Sequence, residues 1–205
     1  MTGPTRLIIW RHGQTEWNRT DRVQGQTDVA LSEAGREQAV LVAERLVAVH
    51  PDALVSSDLR RAADTAAALA ARTGLPVEVD PRLRERCYGQ WQGRTIAEIR
   101  ERWPVEHARW RAGHPSPGCG IEDIDELSKR AAEALREIAD RHAGGTVVVA
   151  THGGSGRAGV AGLLGWPPEV AATLGGLDNC RWSELRLDTV RGWQLRTHNV
   201  STVNP

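Results

Sequence analysis

The sequence Thr146-Val147-Val148-Val149-Ala150-Thr151 runs directly into His152-Gly153-Gly154. A short continuous run of mostly β-branched apolar residues predicts a strand that is buried on both faces, which is typical of a parallel sheet. The residues after it predict a helix that continues to about Leu164. Because open α/β sheets bind ligands at the carboxyl ends of their strands, His152 occupies a position suited to a functional site.

Two other predicted strands also end in polar residues. Leu7-Ile8-Ile9-Trp10 ends at Arg11-His12-Gly13, and Ala53-Leu54-Val55-Ser56 leads into a polar stretch up to Arg61. A further short strand is predicted at Val77-Glu78-Val79. Since the carboxyl ends of parallel strands meet at one edge of a sheet, we expect these polar ends to converge with the one after the valine-rich strand.

Helices separate the predicted strands. Ser32 is a good N-cap for a helix over about 33–49, and a long amphipathic helix is predicted from Asp123 to about His142. Two β-rich segments, at about 181–187 and 193–200, close the sequence. This alternation predicts a three-layer α/β/α sandwich with a mainly parallel central sheet.

A length of 205 residues fits a single domain that spans residues 1–205. One segment, from about 87 to 122, departs from the alternation because it combines Trp91, Trp103 and Trp110 with several prolines and glycines. We predict that this segment is an excursion on the substrate side of the sheet, part loop and part helix over about 95–103.

The charge balance excludes some functions at the level of the whole chain. Lys plus Arg and Asp plus Glu number 26 each, so nothing indicates binding to nucleic acid or to an anionic membrane. We find neither an apolar run of about 20 residues nor a secretory signal, and expect a cytoplasmic protein. Cys87, Cys119 and Cys180 lack metal-ligand spacing and are expected to be reduced thiols.

The polar residues at the strand ends suit phosphoryl transfer. The transition state spreads negative charge over three non-bridging oxygens, and the planar, permanently charged guanidinium of arginine matches them. Nearby arginines disfavour the charged form of a histidine, which keeps one imidazole nitrogen free to attack phosphorus. A carboxylic acid can protonate the leaving oxygen. Two arginines, a nucleophilic histidine, a second histidine and an acid therefore form a minimal set.

The stretch Arg11-His12-Gly13-Gln14-Thr15-Glu16-Trp17-Asn18 resembles the signature of the histidine phosphatase superfamily, the phosphoglycerate mutase-like proteins. Other motifs of that family follow in the same order: Leu-Ser-Glu-Ala-Gly at 31–35, Ser-Ser-Asp-Leu-Arg-Arg-Ala at 56–62, Leu-Arg-Glu at 83–85 and Thr-His-Gly-Gly at 151–154. The resemblance spans residues 6 to about 164. It implies a phosphoglycerate mutase-like fold and, by family likeness, a homodimer.

The resemblance also implies a role for each matching residue. His12 takes the phosphoryl group as a phosphohistidine, and Glu85 first protonates the leaving oxygen and then deprotonates water. Arg11, Arg61 and His152 hold the phosphoryl oxygens and supply positive charge, and the position before Ala62 selects Arg61 rather than Arg60.

Three further residues join the phosphate site by the same resemblance. The side chain of Asn18 and the backbone N–H of Gly25 add hydrogen bonds, and Gly153 belongs to the second-histidine motif. No metal and no cofactor is implied. His114 is a candidate neighbour of the substrate, and Cys87 is interpreted as a bystander thiol.

Three functions remain open within this family: a phosphatase, a phosphoglycerate mutase that depends on 2,3-bisphosphoglycerate, and a non-catalytic module that binds phosphorylated or protein partners. The mutases have Gly-Leu-Asn-Lys and Trp-Arg-Arg where this chain has Gly-Arg-Thr-Ile at 93–96 and Trp-Arg-Ala at 110–112. The missing lysine and arginine favour hydrolysis of a phosphomonoester. No member of the catalytic set is missing, which disfavours the binding module.

The substrate is indicated less sharply than the reaction. The motifs at 57–61, 89–93 and 174–176 resemble those of the actinobacterial glucosyl-3-phosphoglycerate phosphatases. These phosphatases often have Gly-Gly-Glu-Ser before the long helix, whereas this chain has Gly120-Ile121-Glu122-Asp123. We therefore expect a small phosphorylated metabolite, either glucosyl-3-phosphoglycerate or a related sugar or glycerate phosphate.

Overall fold

The computed structural model describes residues 4–114 and 117–201, and within them six strands form one mixed sheet. In chain order the strands are β1 (Arg6–Arg11), β2 (Ala53–Ser56), β3 (Val77–Val79), β4 (Thr146–Thr151), β5 (Trp182–Asp188) and β6 (Gly192–Val200). Their spatial order is β3-β2-β4-β1-β5-β6. The β1–β4, β2–β4 and β2–β3 pairs are parallel, and the β1–β5 and β5–β6 pairs are antiparallel. The predicted mainly parallel sheet is confirmed.

Strand β4 lies between β1 and β2, and all six of its residues are buried. Arg11 at the end of β1 pairs with Thr151, and Ser56 at the end of β2 pairs with Ala150. The three strands therefore end at the same level, so the residues that follow them are neighbours in space.

Helices cover both faces of the sheet. In chain order those in the described residues are α1 (Glu16–Arg19), α2 (Glu33–Val47), α3 (Arg60–Thr73), α4 (Ile96–Arg102), α5 (Pro104–Arg111), α6 (Ile124–Arg141), α7 (Gly153–Leu163) and α8 (Pro168–Ala171). Helices α2 and α3 pack on the face that includes Ile8 and Val148. Helices α6 and α7 pack on the other face, which includes Ile9 and Val149. The predicted three-layer sandwich is confirmed.

The predicted helix starts agree with the structure. The Ser32 side chain accepts a hydrogen bond from the Gly35 N–H at the start of α2, and Asp123 accepts one from the Asp125 N–H at the start of α6. Each cap satisfies a backbone donor that has no partner within its helix. Over residues 4–114 and 117–201, no helix is both long and apolar enough to cross a membrane.

Between residues 87 and 114 the excursion contains two α-helices where the sequence predicted one. The predicted helix over about 95–103 corresponds to α4, and α5 follows directly because Pro104 suits the first turn of a new helix. Trp91, Ile99 and Cys119 form a small buried cluster here, with Trp103 and Trp110 packed against it. The excursion therefore has an apolar core of its own beside the main sheet.

Candidate active site

His12 and His152 lie side by side where β1 and β4 end. The His12 N–H donates to the Thr151 carbonyl oxygen at 3.0 Å, and the two imidazole ring centroids are 5.2 Å apart. Both rings are almost completely buried. The structure thus brings together the two histidines that the sequence placed at separate strand ends.

The His12 ring has one nitrogen committed to the backbone. Its Nδ1 lies 2.7 Å from the Gly13 carbonyl oxygen, and because a carbonyl can only accept, Nδ1 carries the hydrogen and Nε2 the lone pair. Burial, followed by the charges of Arg61 and Arg11, lowers the pKa of His12 well below 6.5. At neutral pH the ring is therefore uncharged, with Nε2 available to attack an electrophile.

Arg61, in the first turn of α3, is fully buried. Its Nη1 donates to the Thr27 carbonyl oxygen at 2.8 Å, its Nη2 to that of Gly25 at 2.6 Å, and its Nε to His152 Nδ1 at 3.1 Å. Burial lowers the pKa of Arg61 to about 10, so the guanidinium stays charged at neutral pH. Three of its five N–H groups are used in these bonds, which leaves two for a ligand.

Arg11, the last residue of β1, is held through Nη1, which donates to the Leu177 carbonyl oxygen. Within the described residues its Nε is buried without a hydrogen-bond partner. A side-chain Cβ at Gly153 would lie 3.5 Å from Arg11 Cζ, so the first residue of α7 lies directly against this guanidinium. Arg11 therefore offers a preoriented N–H donor to an anion.

His152 differs from the expectation that it supplies positive charge. Its Nδ1 accepts from Arg61, so its Nε2 carries the hydrogen and donates to the Ser57 hydroxyl at 2.9 Å. Burial, followed by the charge of Arg61, lowers the pKa of His152 well below 6.5. In this structure His152 is a neutral group that orients Arg61, because both of its nitrogens are occupied by protein partners.

Glu85 lies at the N-terminal end of α7. Its Oε2 accepts from the Gly154 N–H at 2.9 Å, and its Oε1 accepts from the N–H groups of Ser155 at 2.9 Å and Arg86 at 2.8 Å. A Cβ at Gly154 would lie 2.5 Å from Glu85 Oε1, so only glycine leaves room for the carboxylate. The acid is thus fixed in place by backbone donors at the positive end of a helix.

Asn18 and Gly25 line the same cleft as His12. Asn18 Oδ1 accepts from the Thr15 N–H at 3.0 Å and from Asn179 Nδ2 at 3.3 Å, which leaves the Asn18 amide group as its donor for a ligand. Gly25 has φ +53, and a Cβ there would lie 2.1 Å from Gln92 Oε1. Its carbonyl oxygen accepts from Arg61; the role of its N–H toward phosphate stays a prediction.

A cleft of about 190 Å³ is lined by Arg11, His12, Asn18, Gly25, Arg61 and Glu85, whereas His152 lies behind Arg61 and is not among its lining residues. One side is polar and includes Arg11, His12, Arg61 and Glu85, and the other is mostly apolar. The apolar side is formed by Val23, Tyr88, Trp91, Ile96 and Trp110. Burial raises the pKa of Tyr88 to about 12, so its hydroxyl is a neutral polar group on that side.

The sequence did not predict two polar residues of this cleft, Arg22 and Gln24. Arg22 Nη1 donates to the Gly93 carbonyl oxygen at 2.8 Å, and Gln24 Oε1 is buried without a hydrogen-bond partner among the described residues. Their position between Asn18 and Gly25, two residues singled out in the sequence, was the available signal. His114 is exposed, and neither it nor Cys87 is among the described residues that line the cleft.

Within residues 4–114 and 117–201, no three His, Cys, Asp or Glu side chains are grouped so that they could hold a metal ion. Among the described residues that line the cleft, the charged groups are guanidiniums and one carboxylate. Such a site can bind a phosphoryl group through Arg11 and Arg61, present the His12 Nε2 to phosphorus, and exchange a proton through Glu85.

This fold and site define a class of protein, and the chain belongs to it: the family model of the histidine phosphatase superfamily (branch 1) matches residues 7–201. A glucosyl-3-phosphoglycerate phosphatase of Mycolicibacterium vanbaalenii is 43% identical in an alignment that covers 96% of this chain and 95% of that protein. A metal-independent phosphoserine phosphatase of Arabidopsis thaliana is 41% identical in an alignment that covers 75% of this chain and 66% of that protein.

A solved structure of such a phosphatase has the same fold as this chain. The structure of a mycobacterial glucosyl-3-phosphoglycerate phosphatase in complex with VO3 matches with a TM-score of 0.87 at 41% identity, covering 96% of this chain and 99% of that one. The predicted family, its phosphoglycerate mutase-like fold and the enzyme class, a phosphatase, are confirmed.

Proposed function

We propose that this chain hydrolyses a phosphomonoester through a phosphohistidine formed on His12. The observation that carries the proposal is the contact of the buried His12 Nδ1 with the Gly13 carbonyl oxygen, which leaves Nε2 free in a cleft that also contains Arg11, Arg61 and Glu85. A neutral imidazole is a nucleophile and an imidazolium is not, so the lowered pKa supports attack at neutral pH.

In the first step the His12 Nε2 bonds to phosphorus as the bond from phosphorus to the leaving oxygen breaks. Arg11 and Arg61 stabilise the charge on the non-bridging oxygens, with Asn18 and Gly25 as further donors. Glu85, in its protonated form, gives its proton to the leaving oxygen, so the product leaves as an alcohol.

In the second step water replaces the leaving group. Glu85, now a carboxylate, accepts a proton from the water as the water oxygen bonds to phosphorus and the bond to His12 breaks. Phosphate leaves and Glu85 is protonated again, so the cycle is balanced. The contact of His152 with Arg61 supports a positioning role for His152, and Gly153, the first residue of α7, lies against Arg11.

The proposed cycle needs neither a metal ion nor a cofactor, because two guanidiniums carry the positive charge. The name of the Arabidopsis relative, a metal-independent phosphoserine phosphatase, supports this part of the proposal. Turnover should survive EDTA within about twofold, as expected when no Lewis acid takes part. A strong loss that Mg²⁺ restores would contradict the metal-free mechanism.

The substrate is a small phosphorylated metabolite with a leaving group that fits against aromatic side chains. We favour glucosyl-3-phosphoglycerate or a related sugar or glycerate phosphate. The Mycolicibacterium relative named as a glucosyl-3-phosphoglycerate phosphatase aligns with this chain over almost the full length of both proteins, which supports this choice. The apolar wall at Tyr88, Trp91 and Trp110 supports a bulky leaving group, since the flat face of a ring can pack there.

A 2,3-bisphosphoglycerate-dependent mutase is the second candidate. At the position where the mutases have lysine, this chain has Ile96, whose side chain lines the cleft. An apolar side chain there cannot bind a second phosphate or a carboxylate, which favours release of the phosphoryl group to water over its return to a glycerate.

We also propose that residues 1–205 form one phosphatase domain, a cytoplasmic homodimer, in which the excursion at about 87–122 closes the substrate side. Tyr88, Trp91, Ile96 and Trp110 all come from that excursion and line the cleft, which supports its role. The family resemblance supports the homodimer. Light scattering coupled to size-exclusion chromatography measures the mass of the protein in solution directly. A monomer at micromolar concentration would contradict the proposed homodimer.

The deciding experiment is a phosphate-release screen over sugar phosphates, phosphoglycerates, phosphoserine and glucosyl-3-phosphoglycerate. It should run beside a mutase assay from 3- to 2-phosphoglycerate primed with 2,3-bisphosphoglycerate. We expect release of phosphate and no mutase turnover. Mutase turnover that exceeds hydrolysis would favour the second candidate, and a folded protein inactive on every substrate and on p-nitrophenyl phosphate would indicate a non-catalytic module.

A further inference from the structure

The segment that carries Glu85 is held by a side chain from α6. Arg130 donates from Nη1 to the carbonyl oxygens of Arg82 (2.6 Å) and Arg84 (2.7 Å), and from Nη2 to that of Glu85 (3.1 Å). Its Nε and Nη2 also donate to the two carboxylate oxygens of Glu122, at 2.6 and 2.9 Å. These five bonds correspond to the five N–H groups of a guanidinium, so the orientation of Arg130 is fully determined.

Glu122 holds the same segment from the other side of Glu85. Its Oε2 accepts from the Cys87 N–H at 3.0 Å, and its own backbone N–H donates to the Cys87 carbonyl oxygen at 2.9 Å. Its carbonyl oxygen accepts from Arg86 Nε at 2.8 Å. The Arg130–Glu122 ion pair therefore forms hydrogen bonds with the backbone both before and after Glu85.

This ion pair is largely shielded from water. The side chain of Arg130 is 22% exposed and that of Glu122 is 14% exposed. Removing one partner of such a pair leaves the other with a poorly solvated charge, so each side chain depends on the other for its position.

We propose that Arg130 and Glu122 are positioning residues for Glu85, which set the distance from its carboxyl group to the leaving oxygen. The proposal rests on the acid–base role proposed above for Glu85. The carboxylate is held by α7 through Gly154 and Ser155, whereas the backbone of the same residue is held by α6. Proton transfer tolerates displacements of only about 0.5 Å, so both attachments are needed.

A leaving-group comparison separates this role from a general effect on folding. The value of kcat/KM reports the step in which the leaving group departs, and the p-nitrophenolate of p-nitrophenyl phosphate hardly needs a proton, whereas an alkoxide does. For Arg130→Met, we expect kcat/KM to fall about tenfold more with an alkyl phosphate than with p-nitrophenyl phosphate. Glu122→Gln, which keeps the shape and removes the charge, should change the ratio in the same direction.

Arg136 provides the matched control. It lies on the same helix and its Nη2 donates to the Gly162 carbonyl oxygen at 2.8 Å, away from the Glu85 segment. Arg136→Met should leave the substrate ratio within about twofold of the unmodified protein, because it removes a similar contact that does not reach the acid. Thermal unfolding of all variants shows which of them are folded.

Glu85→Gln, measured in parallel, distinguishes the acid role of Glu85 from the positioning role of Arg130 and Glu122. If this variant loses activity equally on both substrates, the acid role of Glu85 fails and the positioning role fails with it. If it discriminates between the substrates while Arg130→Met and Glu122→Gln lose activity equally on both, only the positioning role is overturned. If Arg130→Met does not fold, the substrate ratio of Glu122→Gln decides.

Discussion

The two sides of the cleft are built in different ways. On the phosphoryl side, Arg11, His12 and Arg61 each bond to a backbone carbonyl oxygen in a segment outside the strands, so directional bonds fix their orientations. On the excursion side, Trp91 and Trp110 pack edge to face, with ring centroids 5.7 Å apart. One side is fixed by directional hydrogen bonds to the backbone, and the other by the less directional packing of rings.

This difference assigns separate tasks to the two sides. We expect the fixed donors to stabilise the transition state without rearrangement, which would make the phosphoryl side the source of rate. We expect the packed rings to contact the leaving group and no reacting atom, which would make the excursion side the source of substrate preference. Substitutions on the two sides should therefore change different kinetic quantities.

The largest expected effect is on the phosphoryl side. His12→Ala should lower kcat by about a thousandfold or more, because it removes the group that forms the covalent bond. Phosphate release from p-nitrophenyl phosphate measures the loss. His142→Ala, a histidine far from the cleft that pairs with Glu78, is the control and should keep its activity. Residual activity of more than a few per cent would rule out His12 as the nucleophile.

Glu85→Gln should lower kcat/KM about a hundredfold with an alkyl phosphate, since general acid catalysis commonly contributes that much. The loss with p-nitrophenyl phosphate should be more than about tenfold smaller, because its leaving group is a weak base. Initial rates on both substrates give the ratio. Equal losses would argue that Glu85 does not protonate the leaving oxygen.

On the excursion side, Trp110→Ala should change the ratio of kcat/KM between a bulky sugar phosphate and p-nitrophenyl phosphate by about tenfold, with a smaller change in kcat. Trp103→Ala is the control, because Trp103 belongs to the same apolar cluster and is not among the described residues that line the cleft. If both variants change this ratio of kcat/KM equally, the excursion side affects folding and not the choice of substrate.

The smallest effect concerns stability. Folding lowers the pKa of His12 and His152 below 6.5, so the unfolded chain takes up protons at a higher pH than the folded one. The two histidines contribute fully to the free energy of unfolding above about pH 6.5. As pH falls below that value, the free energy of unfolding decreases by about 1.4 kcal/mol per pH unit for each imidazole. Urea unfolding between about pH 5 and 7 should therefore show a shallower decline for His12→Ala than for the unmodified protein. Parallel declines would contradict a neutral, buried His12.

The sheet and the phosphoryl side could be predicted because their signals are local. The valine run of β4 and the apolar run of β1 predicted buried strands, and parallel strands end together. This geometry brought His12 and His152 into contact. The lowered pKa of His12 was also expected, but its largest cause is burial, and the arginines come second.

The excursion side and the supporting contacts could not be predicted in the same way. The start of α5 at Pro104 falls inside a region read as loop, and α1 and α8 have only four residues each. The neutral state of His152 depends first on its burial and then on the charge of Arg61, neither of which is visible in its sequence neighbours. The contacts of Arg130 with three backbone carbonyl oxygens leave no pattern in the sequence, since a carbonyl is present at every residue.

The central claim is that the His12 Nε2 forms a covalent bond to phosphorus, and trapping that intermediate tests it most directly. The protein is mixed with substrate, quenched in alkaline denaturant within milliseconds, digested and analysed by mass spectrometry. A phosphoryl group should be found on the peptide that contains His12, stable in alkali and lost in acid, and absent from His12→Ala. Turnover with no phosphopeptide at any quench time, or with the phosphoryl group on another residue, would contradict the claim.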